Sequence, residues 1–287
     1  MRSRGGKVSA EEGGLSARLD LLPGDRPIGV FDSGIGGLTV AQEITRLLPN
    51  EQIVYFGDTA RVPYGTKSRE SVVRFSRDNM NVLLKYNVKV VVVACNTSTS
   101  WALGILRREY ALPVVGVIEP GSRRAVEVSD KGRIGVIATR STVASRKYEE
   151  TIRRMRPGAE VIQRACPLFV QLVEEGWLDH HVTEQIAQEY LADIRKFGVD
   201  TLILGCTHYP LLKPVLQKVV GRNVALIDSG TETAREVKML LEDRQLLRCS
   251  RRPPRHEFLV SDEPEHFRVV AKRFLGHDLP RVRRVLF

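Results

Sequence analysis

The sequence predicts an α/β fold of two pseudo-symmetric lobes, each a parallel sheet flanked by helices, with the active site in the cleft between them. Three observations carry that expectation. Short β-branched runs alternate with longer amphipathic stretches from residue 27 to residue 242, the rhythm of strands apolar on both faces and helices that cover them. Two segments recur in the same order: Ile28-Gly29-Val30-Phe31-Asp32-Ser33 is echoed by Ile134-Gly135-Val136-Ile137-Ala138-Thr139, and Val91-Val92-Val93-Ala94-Cys95 by Leu202-Ile203-Leu204-Gly205-Cys206. The informative polar residues fall where an apolar strand gives way to a helix.

Taken in chain order, strands are expected at Ile28–Phe31, Ile53–Phe56, Val88–Ala94, Val114–Val117, Arg133–Ile137, Thr201–Leu204 and Val224–Ile227. Helical periodicity fills Leu38–Leu48, Glu70–Lys85, Ser141–Met155, Glu184–Phe197 and Leu211–Val219. The two echoes lie 106 and 111 residues apart. Chance resemblance between βα units is the weaker reading of two echoes at such concordant spacing, so a duplicated lobe is the reading adopted. Residues 1–25 read as a disordered leader. Residues 26–118 with 228–287 make the first lobe, which carries a basic C-terminal extension, and residues 119–227 make the second.

Composition narrows the function class. A chain of 287 residues that is 43% hydrophobic has the material for a sizeable core. No stretch approaches the ~20 apolar residues that span a bilayer, and the first 25 residues contain Arg2, Arg4 and Lys7 but no apolar core of a secretory signal. A cytoplasmic location is expected. The formal charge of +10 is concentrated in residues 244–287, which carry 11 basic and 5 acidic side chains around Arg248, Arg251, Arg252 and Arg255. That patch lacks interleaved aromatics and any nucleic-acid-binding module, so it reads as a solvated surface. A nucleic-acid or protein-binding module that uses the basic tail is the alternative from another class.

The four cysteines, Cys95, Cys166, Cys206 and Cys249, form no CxxC pair, and Cys206-x-His208 has no second ligand pair at zinc spacing. No structural metal is expected. Cys166 and Cys249 are the candidates for buried, inert thiols.

Four strand ends hold the candidate site: Asp32-Ser33-Gly34-Ile35-Gly36-Gly37, Cys95-Asn96-Thr97-Ser98, Thr139 with Thr142, and Cys206-Thr207-His208. Ligands bind beyond the carboxyl ends of strands in open α/β sheets, and helix N-termini there offer free N–H groups to an anion. Each turn alone is explicable as helix capping or tight-turn glycine geometry; the four together point to a site. A dinucleotide fingerprint is a rival for the glycine run, with Asp58 near the ribose-binding position. The third position of that motif is Thr39, whose branched side chain crowds the helix–strand packing the motif needs.

The repeat puts Cys95 and Cys206 at equivalent strand ends. If the lobes face each other, two sulfurs approach one small ligand from opposite sides. Inversion of a carbon centre requires that arrangement, one base removing a proton from one face while an acid supplies one to the other. Thiolate is the active base, and an unperturbed thiol of pKa about 8.5 is only slightly ionised at neutral pH. His208 is placed to assist Cys206, and Asp32 or Asp58 to assist Cys95.

In these residues the chain resembles the glutamate racemases of the aspartate/glutamate racemase superfamily. The resemblance runs from about Pro27 to Leu241 and continues weakly from His256-Glu257-Phe258 to Phe274-Leu275-Gly276. Its motifs are Gly29 to Leu38 (GVFDSGIGGL), Tyr55 to Gly65 (YFGDTARVPYG), Ala94-Cys95-Asn96-Thr97 and Gly205-Cys206-Thr207-His208-Tyr209-Pro210.

The resemblance implies that Cys95 and Cys206 transfer the proton, and that Asp32, Ser33, Tyr64, Gly65, Asn96, Thr97, Thr207 and His208 surround the substrate, with Thr139 and Thr142 adjoining. It implies helper acids: Asp58 on the first-cysteine side, and near the second cysteine Glu174, chosen over Glu175 within Cys166–Gly176. It also implies glutamate as substrate, no pyridoxal phosphate, metal or nucleotide, a homodimer, and a product that feeds peptidoglycan synthesis. An aspartate racemase is the alternative within the same chemistry, because composition does not measure pocket length.

Overall fold

A computed structural model of the chain describes residues 21–279 and 281–287. Ten strands, β1 Ile28–Asp32, β2 Ile53–Gly57, β3 Val90–Val93, β4 Val114–Gly116, β5 Arg133–Ala138, β6 Glu160–Ala165, β7 Thr201–Gly205, β8 Ala225–Asp228, β9 Glu257–Val260 and β10 Val282–Arg284, form two sheets among the described residues. One has the order β10-β9-β2-β1-β3-β4 and the other β6-β5-β7-β8, and every pairing is parallel.

Parallel strands need long crossovers, which the helices supply. They are α1 Leu38–Leu47, α2 Arg69–Leu84, α3 Asn96–Glu109, α4 Ile118–Val128, α5 Arg140–Ala144, α6 Lys147–Met155, α7 Leu168–Glu174, α8 His181–Phe197, α9 Lys213–Val220, α10 Ser229–Asp243 and α11 Pro264–Leu275. β1, β2, β3, β4 and β7 are buried along their whole length. Helices on both faces explain why these strands read as unbroken apolar runs instead of alternating ones.

The sequence echoes occupy matched places. β1 pairs with β3 in one sheet, Phe31 opposite Val93, and β5 pairs with β7 in the other, Ile137 opposite Leu204. The motif-bearing turns therefore leave neighbouring strand ends in each sheet, with Ser33 beside Cys95 in one and Thr139 beside Cys206 in the other.

Several boundaries differ from the sequence reading. The stretch Ser141–Met155 is two helices, because Arg146 takes a left-handed φ of 52°. The break leaves the short α5 to carry Thr142 while α6 buries Tyr148 and Ile152. Leu211–Val219 begins as a 3-10 turn, Tyr209–Leu212, before α9 starts at Lys213 with Pro214 in its first turn, where the missing N–H costs nothing. β6 carries no clear apolar signal because it is an edge strand, partly exposed along its length and interrupted by Gln163 and Arg164.

Residues 1–20 of the expected leader lie outside the described residues. Residues 21–25 do not behave as a disordered leader. Pro23–Asp25 form a 3-10 turn, the Gly24 carbonyl accepts from Lys89 Nζ at 2.6 Å, and Asp25 Oδ1 accepts from the Ser250 N–H at 3.1 Å. Lys89 is buried with Glu51 at 2.5 Å, and a buried ammonium requires every acceptor it can reach. That demand fixes the turn. Cys166 is buried as expected, whereas Cys249 is exposed, since the loop after α10 runs over the surface.

Candidate active site

The strand ends of the two sheets meet at a cavity of about 70 Å³ lined by Ser33, Tyr64, Gly65, Cys95, Asn96, Thr97, Thr139, Cys206, Thr207 and His208, all singled out from the sequence. Val62, Pro63, Thr66, Arg140, Pro167, Val170 and Gln171 complete the lining. Both sulfurs border this one cavity, from different sheets.

The two cysteines have different surroundings. Cys95 is the N-cap of α3, its Sγ accepting the Ser98 N–H at 3.5 Å and lying 3.6 Å from Ser33 Oγ. Burial pushes this thiol up to about 11, the negative charge of Asp32 adds to the rise, and the Ser98 and Ser33 hydrogen bonds oppose it. Cys206 does not cap a long helix; its sulfur lies 3.9 Å from His208 Nδ1. His208 Nε2 is in turn 2.8 Å from Glu174 Oε1, and this acid is the last residue of α7. Burial alone would lower the imidazole, but the contacts with Cys206 and Glu174 outweigh it and hold His208 up at about 10. An imidazolium thus faces the second sulfur, and a carboxylate anchors the far side of the ring.

Asp32 ends β1 beneath Ser33 and is completely buried. Burial raises its carboxyl, opposed by the charge of His208 and by the N–H groups of Gly34, Gly37 and Ser33. Its Oδ2 accepts from the Gly34 N–H at 3.0 Å, while among the described residues Oδ1 has no hydrogen-bond partner. A buried acceptor left free in a folded protein calls for an explanation.

Three hydroxyls close the opposite side. Thr97 Oγ1 is 3.0 Å from both Thr139 Oγ1 and Thr142 Oγ1, which are themselves 3.0 Å apart. The first belongs to α3 and the others to the end of β5 and to α5, so the triangle spans the two sheets. Asn96 is fixed by a residue the sequence reading did not single out: Tyr148 donates to its Oδ1 at 2.6 Å. Tyr148, flanked in sequence by Lys147 and Glu149, is buried in an apolar cluster with Ile118, Ile134, Ile152 and Ile203. Gln171 and Val170 had a usable signal, since they precede Glu174 by one helical turn.

Asp58 reaches the cleft through Tyr64, whose hydroxyl donates to Oδ2. The same carboxylate accepts from Arg61 Nε at 2.6 Å and from Ser261 Oγ at 2.9 Å. The carboxylate charge that raises the Cys95 thiol is that of Asp32.

The glycine run is explained by close approach between lobes. A Cβ on Gly36 would lie 2.2 Å from Thr207 Oγ1 and 2.5 Å from His208 Nδ1. The space a pyrophosphate would need is filled by protein, which removes the dinucleotide reading. Thr39, anomalous for that motif, donates to the carbonyls of Gly36 at 2.9 Å and Thr207 at 3.1 Å. Among the described residues no three His, Cys, Asp or Glu side chains gather as a metal site, and no helix is long and apolar enough to cross a membrane.

The chain is 52% identical over 260 residues to the glutamate racemase of Geobacter metallireducens, covering 91% of this chain and 96% of that protein. It is 46% identical to the glutamate racemase of Neisseria meningitidis, at 91% and 96% coverage. Among solved structures, a glutamate racemase isoform of Bacillus anthracis superposes with a TM-score of 0.87 at 40% identity, covering 90% of this chain and 97% of that one. The Francisella tularensis glutamate racemase in complex with D-glutamate gives 0.86 at 39%, covering 92% and 98%. A family model described as Asp/Glu/hydantoin racemase matches residues 28–237, a span that contains both sheet ends and every cleft residue, and the chain belongs to that family.

Proposed function

We propose that the protein is a glutamate racemase that interconverts L- and D-glutamate by two-thiol proton transfer between Cys95 and Cys206. The observation that carries this reading is that the two sulfurs border one small cavity from opposite sheets, each beside its own acid–base helper. One sulfur as thiolate takes the α-proton from one face, and the other as thiol delivers a proton to the opposite face; the roles exchange for the reverse direction.

Asp32 lies directly beneath Ser33 without lining the cavity, and its buried, unpartnered Oδ1 supplies negative charge below the place where the substrate ammonium would sit. The hydroxyls of Thr97, Thr139 and Thr142, with Asn96 and the N–H groups at the start of α3, suit a carboxylate. The α-carbanion is held by these fixed dipoles in a small, sheltered cavity. Each tenfold in rate asks for about 1.4 kcal/mol of transition-state stabilisation, so several aligned donors are needed. This chemistry is complete without pyridoxal phosphate, metal or nucleotide. The reading extends to a cytoplasmic homodimer whose D-glutamate feeds peptidoglycan synthesis, and to lobes bounded at residues 118 and 228.

Optical inversion of L-glutamate by the purified protein with no cofactor added is the test, run in parallel with L-aspartate. Inversion of glutamate supports the proposal. Inversion of aspartate alone moves the assignment to the shorter substrate, and inversion of neither ends it.

A further inference from the structure

A second cavity, of about 420 Å³, lies against the mouth of the catalytic cleft and shares Gly65, Thr66 and Arg140 with it. Its remaining wall includes Lys67, Arg69 and Trp101. Three cations therefore surround the way in, and no carboxylate lines either cavity.

Elsewhere on neighbouring elements, cations are neutralised locally: Arg77 pairs with Glu109, Arg107 with Glu119, and Lys147 with Glu150. Among the described residues Lys67, Arg69 and Arg140 enter no ion pair. Glu70, the adjacent acid, is held chiefly by its own backbone and by Ser68 at the start of α2, and the charge of Arg69 acts on it more weakly, without an ion-pair contact. The Arg69 guanidinium instead rests 5.7 Å from the Trp101 ring, and Trp101 Nε1 donates to Ser141 Oγ at 3.0 Å. That bond joins α3 to α5, so the rim that carries the cations is built from both lobes.

We propose that Lys67, Arg69 and Arg140 form an electropositive entrance that draws a small dicarboxylate into the cleft and holds its distal carboxylate during entry. The proposal rests on the glutamate reading for the identity of the ligand, but the entrance itself is a property of the charges. Concave sites lined by one sign of charge concentrate counter-ions. The effect is carried by solvent-exposed groups, so it is screened over a Debye length of about 8 Å at physiological salt and about 3 Å at 1 M. Gly65, Thr66 and Arg140 line both cavities, so Arg140 carries the anion from the entrance to the hydroxyls within.

The test compares the native protein with the triple variant Lys67→Gln/Arg69→Gln/Arg140→Gln, with Arg195→Gln/Lys196→Gln/Arg222→Gln, three exposed cations that line neither cavity, as the control for net charge. KM for L-glutamate is measured at low ionic strength and in roughly 0.5 M potassium chloride. The triple variant is expected to raise KM about fivefold at low salt and less than about twofold at high salt, while the control stays within experimental scatter of native. An unchanged KM at low salt, or a rise that salt does not shrink, overturns the proposal.

A second measurement needs no turnover. The chain has two tryptophans, so Trp177→Phe leaves Trp101 as its only indole. Iodide quenching of Trp101 is expected to drop in the triple variant while quenching by neutral acrylamide does not. Equal iodide quenching in both proteins overturns the entrance. Absence of glutamate turnover in the native protein, with iodide quenching still charge-dependent, removes only the glutamate reading.

Discussion

Nε2 of His208 lies 2.8 Å from Oε1 of Glu174, joining the end of β7 to the last residue of α7 across 34 positions of sequence. Glu174 is about a third exposed and His208 is buried, so a partly exposed acid adds to the Cys206 contact in holding an interior base charged. The raised imidazole is the consequence, and the pH behaviour of the second thiol follows from it.

Replacing Glu174 by Gln is expected to lower the high-pH limit of activity. His208 held near 10 keeps its positive charge across the neutral range; without the carboxylate the ring loses its proton at lower pH. The sign for stability is the same. A group raised in the folded state from an unperturbed 6.5 contributes fully below that value, and the contribution is lost as pH climbs through about 10. Activity and melting temperature of E174Q and native protein, compared from pH 6 to pH 10, decide this. Coincident profiles would show that the pair does not tune the ring.

Cys95→Ala and Cys206→Ala should each abolish racemisation while retaining the native circular dichroism spectrum, because each removes a single sulfur at the wall of a cavity and leaves the rest of its buried surroundings in place. Cys95→Ser and Cys206→Ser should each exchange the α-hydrogen in deuterated water with one enantiomer only. Full activity in either alanine variant would remove the two-thiol assignment. Cys166→Ala is the contrasting case: Cys166 is buried against the core and does not line the cleft, so its loss should alter stability before activity.

Gly36→Ala should cost at least about a hundredfold in kcat, since misplacing a catalytic group by ~1 Å has that scale. The added methyl falls on Thr207 and on the Nδ1 of His208 that faces Cys206. Gly158→Ala, whose Cβ meets nothing within 4 Å, is the matched control. Equal activity of the two variants would show that the lobes can part without penalty.

Asp58→Ala should destabilise the fold by about 1.5–3 kcal/mol, the scale for losing hydrogen bonds to a charged group. Arg61, Tyr64 and Ser261 all lose a partner. KM should also rise, because Tyr64 borders the cleft. Denaturant midpoints and steady-state kinetics measure both; a change in stability with KM unaltered would separate Asp58 from the site.

The basic C-terminal patch is best probed by substitution. Residues 257–260 are β9, paired with β2, and Ser261 bonds Asp58, so deleting residues 244–287 dismantles the first sheet together with any surface it carries. Arg251, Arg252 and Arg255 are exposed. Changing all three to Gln should leave racemisation at the native level, and native and variant alike should fail to be retained on immobilised DNA at moderate salt. Retention by the native protein alone would revive a binding role for the tail.

The sequence by itself determined the alternation of β1 to β5, β7 and β8 with helices, and the matched placing of Cys95 and Cys206, because parallel strands buried on both faces need continuous apolar runs and because the two echoed segments repeat the same landmarks; the exposed edge strand β6 left no such signal. It also carried the polar strand ends, from Asp32-Ser33 to Thr207-His208, since capping and turn geometry explain each one singly but not the four together. Only the tertiary structure decided where each acid lies: Asp32 buried near Cys95, Asp58 bonded to Tyr64, and Glu174 against His208. These placements follow from burial and from contacts between elements far apart in sequence, which no local pattern encodes. The same holds for Tyr148 beneath Asn96, for the contact of Gly36 with His208, and for the three unpaired cations at the entrance. Each depends on surfaces brought together from distant parts of the chain.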